Sequence, residues 1–457
     1  MALTEFRIVR EALQANNPGP GGDRFPIIWS EQKRAALRRL AEGGTPAEPP
    51  IDKALALPLL QCTDGEFARA EALILNLLRD NMALCERNNE VFISFLNSLF
   101  VVQRFDLVAA MLRDRYGFQR PLRLLARHDV HGVGQVGWQI LPGSDGGEHR
   151  FIFDAKAYEA DDTRNEILLF QWEFPLFSSY SATPEQEIGH IVTTRADVGI
   201  IPGLAYCDNR PNFFLVPDSV FVPTRGYQHM REAIRNDHVR WTDRKPVAFW
   251  RGGTTGIPDR ENDWSSLPRS RLCELSRRHE QTGLFDVGFA SVAQFHDAKA
   301  VEHEITRAGL MRGFVKAEEW NRYKFHIDID GNSNAWAALF QKLLTGSPVL
   351  KVESSRGLVQ WYYDELRPWY NYVPVAPDMS DLVDKVKWLN SNDRVAEAIG
   401  SRGRELADRL TYPREIARAM PVISAAFRYF NWRPGNTGPY GRPLSDFVAA
   451  SGESTCG

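Results

Sequence analysis

The stretch from Lys245 to Leu410 predicts an α/β protein built on a doubly wound parallel sheet. Two observations predict it. Strand-length apolar runs alternate with amphipathic helical runs along the whole stretch, and glycine-containing loops follow two of those apolar runs. In order, Val247–Trp250 reads as a buried strand ending in Arg251-Gly252-Gly253, and Pro268–Arg278 as a helix. Lys324–Ile329 is a strand, Trp336–Leu344 a helix and Pro348–Val352 a strand. Asp381–Asn390 and Val395–Arg409 are amphipathic helices. Sheets of this kind bind ligands at the carboxyl ends of their strands.

The first half has a different pattern. From Asp64 to about Arg127, apolar residues recur at helical spacing (Ala68, Leu73, Ile74, Leu77, Leu78, then Phe92, Phe95, Leu96, Leu99). That pattern predicts packed α-hairpins. Gly134–Leu141, Arg150–Phe153 and Glu166–Phe174 read as strands, with Gly143–Gly147 as a hairpin connection. Ile188–Thr193, Gly203–Tyr206 and Phe213–Val216 continue as short strands. The expected organisation is a helical module over 1–127 and a β segment with an N-terminal α/β domain over 128–240. A second α/β domain over 241–410, a closing helix over 411–432 and a Gly-, Pro- and Ser-rich, loosely held tail over 433–457 follow.

Composition excludes several functions. The formal net charge is −3 over 457 residues, and no basic stripe stands out, so nucleic acid is not an expected partner. Five scattered cysteines with no Cys-x-x-Cys spacing argue against a zinc ribbon or a disulfide framework. The longest apolar stretch, Val91–Val102, is well short of the ~20 residues a bilayer span needs. A cytoplasmic location is the expectation.

Two loops could hold a phosphate. In Arg251-Gly252-Gly253-Thr254-Thr255-Gly256, glycines at a strand end let backbone N–H groups approach a ligand, and Arg251 offers a bidentate donor. An ordinary tight turn is the plainer reading. In Asp330-Gly331-Asn332-Ser333-Asn334-Ala335, between a strand and a helix, N–H groups at the helix start form an anion site, with Asn334 or Ser333 as its cap.

The series Tyr323-Lys324-Phe325, Asp330-Gly331, Leu343–Lys351 and Trp361–Val375 resembles glycosyltransferase family 90, and Arg251-Gly252 is similar to that family's Arg-Gly loop. The resemblance covers roughly 180–430. It implies two Rossmann-like domains facing a cleft, the GT-B type, and an inverting, metal-independent transfer with no cofactor. The sugar, of the glucose or xylose class, would pass from a uridine-diphospho-sugar (UDP-sugar) to a glycan, lipopolysaccharide or capsule hydroxyl. Peripheral association with the inner membrane goes with such acceptors. The helical module would serve acceptor or partner binding. The family's general base matches Asp197, with Asp208, Asp218 and Asp237 as rivals. Donor contacts would come from Arg251, Gly252, Gly253, Thr254, Arg271, the Asp330–Ala335 loop and Glu353.

One departure stands out. Many members carry an arginine early in the helix after the second loop, where this chain has Trp336-Ala337-Ala338. Arg251, Arg269, Arg271 and Lys351 are the available substitutes, and Arg271 is the expected one. Asp328-x-Asp330 resembles a metal motif of another transferase class, but its place on a strand argues against that role. The aromatics Trp361, Tyr362, Tyr363, Trp369 and Tyr370 read as core or as sugar-stacking rings, and His326 as an outward-facing strand residue. A non-catalytic glycan- or nucleotide-binding scaffold, and a metal-dependent phosphate-ester hydrolase, are the alternative functions.

Overall fold

The computed structural model describes residues 50–102, 104–116, 202–260 and 263–431 continuously, with shorter pieces before and between them. The chain forms two compact units, Met1–Leu204 with Ala419–Gly457, and Ala205–Arg418. The expected tail, 433–457, lies outside the described residues.

In the first unit, a short strand β1 (Ile27–Ile28) precedes helices α1 (Glu31–Ala41), α2 (Pro50–Thr63), α3 (Phe67–Asp80), α4 (Met82–Arg87), α5 (Asn89–Val101) and α6 (Phe105–Tyr116). Their buried stripes follow the helical period: Ala70, Ile74 and Leu78 on α3, and Phe92, Phe95, Leu96 and Leu99 on α5. The helices end sooner than expected. Leu122–Arg127 is a strand, β2, pairing in parallel with β4 (His149–Asp154). Strand β3 (Gln135–Pro142) pairs antiparallel with β4, Leu141 opposite Arg150, as the expected hairpin requires. After β5 (Tyr158–Glu159), strand β6 (His190–Thr194) pairs with β3, and Leu204 of β7 (Gly203–Ala205) with Thr193.

The strand expected over Glu166–Phe174 is contradicted at its end, since Trp172 and Glu173 are helical. Trp172, Leu176, Phe177 and Tyr180 are buried at helical spacing. A short apolar run rich in aromatics does not distinguish a strand from a buried helix by periodicity alone.

The second unit contains β8 (Cys207–Asp208), β9 (Phe213–Leu215) and α7 (Gln228–Asn236), followed by a five-stranded parallel sheet. Its strands and helices run β10 (Lys245–Gly253), α8 (Pro268–Arg278), β11 (Phe285–Ser291), α9 (Ala298–Arg307), β12 (Tyr323–Asp328), α10 (Ala337–Leu344) and β13 (Val349–Val352). A short β14 (Val359–Gln360) pairs with β8, and β15 (Val373–Val375), α11 (Leu382–Ser391) and α12 (Asp393–Arg409) complete the unit. The spatial order is β11-β10-β12-β13-β15. The core is made by Trp250, Phe289, Phe325, Ile327, Leu350 and Val373 from the strands, with Leu382, Val386, Leu389 and Ile399 from the covering helices. The α/β expectation with a parallel sheet therefore holds. The elements the sequence reading missed include α7, β8 and β14 as well as β11, α9 and β15. Helix α13 (Tyr412–Asn431) occupies the segment expected as the closing helix.

Candidate functional site

The chain order of the sheet is 2-1-3-4-5, so the winding direction reverses between β10 and β12. Connections leave these adjacent strands toward opposite sides, which opens a crevice at their carboxyl ends. The two glycine loops emerge there, one from β10 and one from β12.

The loops are joined to each other. The Gly256 N–H donates to Asn332 Oδ1 at 2.9 Å. Arg269, in the first turn of α8, rivets both: Nη1 donates to Gly253 O (3.1 Å) and Thr255 Oγ1 (2.5 Å), and Nε to Asp330 O (3.0 Å). A Cβ on Gly331 would come within 2.6 Å of Thr255 Oγ1 and 2.8 Å of Arg269 Nη2, so only glycine lets the loops meet. Gly256 has φ +145°, which suits glycine as well. Arg356, after β13, donates to Asn332 O from the other side.

Beneath the second loop lies a buried ion pair. Lys342 Nζ of α10 donates to Asp328 Oδ1 at 2.7 Å, and Lys351 Nζ stands 4.0 Å from Oδ2. Desolvation pushes the Asp328 carboxyl up, but the Lys342 and Lys351 ammoniums more than offset it and hold it below its ordinary range. Burial pulls the Lys342 ammonium down despite its carboxylate partner. Asp330, largely desolvated, is raised.

The structure brings several expected residues together here. Gly252, Gly253, Asp330, Gly331, Asn332, Ser333, Asn334 and Ala335 all belong to the two loops. Asn334 and Ser333 do not cap α10, contrary to expectation. Asn334 is buried, donating to Asp330 Oδ1 (3.3 Å) and Leu358 O (3.1 Å) and accepting from the Cys207 thiol (2.8 Å). Ser333 Oγ accepts from Trp336 Nε1 at 3.0 Å. The residue at the helix boundary is Trp336, whose side chain makes no capping bond. The first N–H groups of α10 are therefore without a side-chain cap, a condition that favours an anion.

Other expected residues have different engagements. Arg251 turns toward β11, with Nη2 on Asp286 Oδ1 and Nε on Gly313 O (3.2 Å). The Thr254 hydroxyl bonds Ala293 O and N, both at 2.9 Å. Arg271 is exposed and pairs with Asp259 at 2.7 Å. Glu353 is exposed at the end of β13. Asp197 is half-buried in the first unit and is not among the residues the second unit assembles. His326 is fully buried and does not face outward, because both faces of a central parallel strand are covered. Sequence reasoning did not select Arg269 or Arg356. A helix starting at Pro268 makes Arg269 and Arg271 near neighbours, and only the loop packing shows which one turns to the crevice. Among the described residues no cluster of His, Cys, Asp or Glu is placed to hold a metal ion.

A doubly wound domain with paired glycine loops at its switch point belongs to the class that binds phosphate-bearing ligands. Residues 194–412 match the family model Glycosyl transferase family 90. Rat Protein O-glucosyltransferase 3 is 31% identical over 227 residues, 47% of this chain and 39% of the relative. The human Protein O-glucosyltransferase 3 is 30% identical over 228 residues, 47% of this chain and 40% of that one. The chain thus spans about two fifths of the length of these curated relatives. A solved structure of Anabaena Alr3699/HepE in complex with UDP-glucose aligns at 9% identity and TM-score 0.27, over 77% of this chain and 82% of that one, a likeness too weak to define a shared fold. Residues 194–412 are thus similar to glycosyltransferase family 90.

Proposed function

We propose that the protein transfers a sugar from a UDP-sugar to a glycan or glycoconjugate hydroxyl, with inversion, without a metal, and on a GT-B-type pair of domains. The observation that carries this reading is the β10/β12 crevice, where two interlocked glycine loops, the uncapped start of α10 and the Arg269 guanidinium converge. A diphosphate leaving group needs such donors, because negative charge builds on it as the glycosidic bond breaks. Arg269 takes the place of the family's absent helix arginine, and Arg356 is a second cation beside the same loop. The relatives named above are O-glucosyltransferases, which favours glucose as the donor sugar and a protein-borne hydroxyl as one class of acceptor.

The base in this reading is Asp197. The match to the family's base position carries this choice; the rivals Asp208, Asp218 and Asp237 are engaged as follows. Asp208 accepts from Arg210 Nε (2.9 Å) and two backbone N–H groups, and Asp237 pairs with Arg322. Asp218 accepts from the Val220 and Phe221 N–H groups and the Tyr227 hydroxyl. Burial raises the Asp218 carboxyl to about 6, but those donors bind it inside a turn.

The test is turnover of UDP-glucose and UDP-xylose, read as released UDP, with wild type and Asp197→Asn in the presence of chelator. Wild type should release UDP. The variant should lose roughly 10²-fold or more, as expected for a missing general base, while still binding UDP. Full turnover by Asp197→Asn would remove it from the chemistry, and dependence of the wild type on metal would favour a different mechanism. Binding of UDP without turnover of any donor would favour the non-catalytic scaffold.

A further inference from the structure

Three of the large apolar side chains left exposed among the described residues gather at one place. Trp369 is 43% exposed, Tyr370 48% and Trp388 39%. The two indoles meet edge to face, centroids 5.3 Å apart. Trp369 and Tyr370 precede β15, and Trp388 lies near the end of α11, which runs back from that strand. The patch is therefore at the amino-terminal edge of the parallel sheet, the edge opposite the glycine loops.

The loop that presents these rings is rigidly built. Buried Asn371 accepts from the Arg367 N–H (2.8 Å) and donates to Glu365 O (3.0 Å). The Trp369 N–H donates to Tyr372 O at 2.8 Å. Trp369 is held at φ +59°, a left-handed conformation that costs a bulky residue on the order of 1–3 kcal/mol. Burying the 43% of Trp369 still exposed would gain a further fraction, under half, of the ~1.5–3 kcal/mol that full burial of a large apolar side chain contributes. The loop gives up both to hold an indole in water, an arrangement that fits a docking surface better than a core.

Cations complete the patch. The Arg402 guanidinium sits 4.6 Å over the Tyr370 ring and Arg367 5.9 Å over it. Among the described residues neither guanidinium has a carboxylate partner; Asp381 is bonded by Lys385, Asp384 lies 3.9 Å from Lys387, and exposed Glu405, three residues beyond Arg402, accepts from the Ser401 hydroxyl at 3.4 Å. Exposed rings offer flat faces to the C–H faces of sugars, and planar guanidiniums bind carboxylates or phosphates in bidentate fashion.

We infer that Trp369, Tyr370 and Trp388, with Arg367 and Arg402, form a surface site for an anionic polysaccharide, on the edge of the domain away from the donor crevice. The charge favours an acidic glycan over a neutral one. A lipid surface is less suited, since the rings cross edge to face, carry cations over them and include no aliphatic side chain to insert. The site does not depend on the transfer reading, because it needs no donor and no turnover.

The experiment is affinity electrophoresis of the full chain through gels containing alginate, a polyuronate, or dextran, a neutral glucan, with co-sedimentation on phosphatidylglycerol/phosphatidylcholine vesicles alongside. Wild type should be retarded by alginate and not by dextran. Trp388→Gln and Arg402→Gln should each weaken retardation several-fold, and Trp369→Ala with Trp388→Gln should abolish it. UDP binding should stay unchanged in all of them. If the Trp369 change unfolds the chain, the two single variants still decide the matter. No retardation of wild type, equal retardation by dextran, undiminished retardation of both single variants, or vesicle binding lost with the same variants would each overturn the proposal.

Discussion

At the scale of single residues, the site depends on which charges the fold places together. Arg251 and Arg271 were legible as cations near a glycine loop, but not as partners of Asp286 and Asp259. Those pairings depend on β11 and on the loop after Gly256, which local pattern does not fix. Arg269 was legible only as one of several cations, because its role comes from carbonyls 16 and 61 residues away in sequence. His326 carries a separate prediction. Burial, with the Lys342 and Arg244 charges, holds its imidazole well below its ordinary range, and neither ring nitrogen has a hydrogen-bond partner among the described residues. The folded state keeps it neutral while the unfolded chain protonates near ~6.5, so its contribution is intact above that pH and is lost as pH falls below it. His326→Phe should therefore lose less stability than wild type between pH 7 and 5, by up to ~2 kcal/mol in chemical denaturation. Parallel losses in the two proteins would show that His326 does not titrate in this way.

At the scale of elements, the second loop holds the most constraint. Trp336 stands at φ +43° just before α10, its indole bonded to Ser333 and its ring 5.0 Å from Tyr206. The sequence placed this loop between a strand and a helix correctly. It could not place Asn334, since the partners of that side chain, Cys207 and Leu358, come from distant elements. Gly331 is the most exacting position, because a methyl group there would strike both Thr255 and Arg269. Gly331→Ala should part the two loops and lower UDP affinity about ten-fold or more, equivalent to ~1.4 kcal/mol, with a smaller effect on thermal stability. Unchanged affinity in a folded Gly331→Ala protein would mean the loop contact does not shape the site.

At the scale of the whole molecule, the alternation from Lys245 onward was enough to give the parallel sheet. Strands β10, β12 and β13 alternate with α8 and α10 much as read. Strands β11 and β15 were missed because Phe285–Ser291 carries Asp286 and Gly288 within it, and Val373–Val375 is only three residues long with a proline at its centre. The strand order was not readable from pattern at all, yet it creates the crevice by reversing the winding between β10 and β12. The first unit was read less well. Its helices were legible from their 3.6-residue period, but they stop before Leu122, and β2 joins a mixed sheet that local pattern does not specify.

The central claim is that the β10/β12 crevice holds the diphosphate of a nucleotide sugar without a metal. Calorimetric titration of UDP into the full chain in chelator, with wild type and Arg269→Ala side by side, tests it most directly. The account predicts saturable one-site binding to wild type and at least about ten-fold weaker binding to the variant, ~1.4 kcal/mol. No binding by wild type in chelator, or equal affinity in the two proteins, would contradict it.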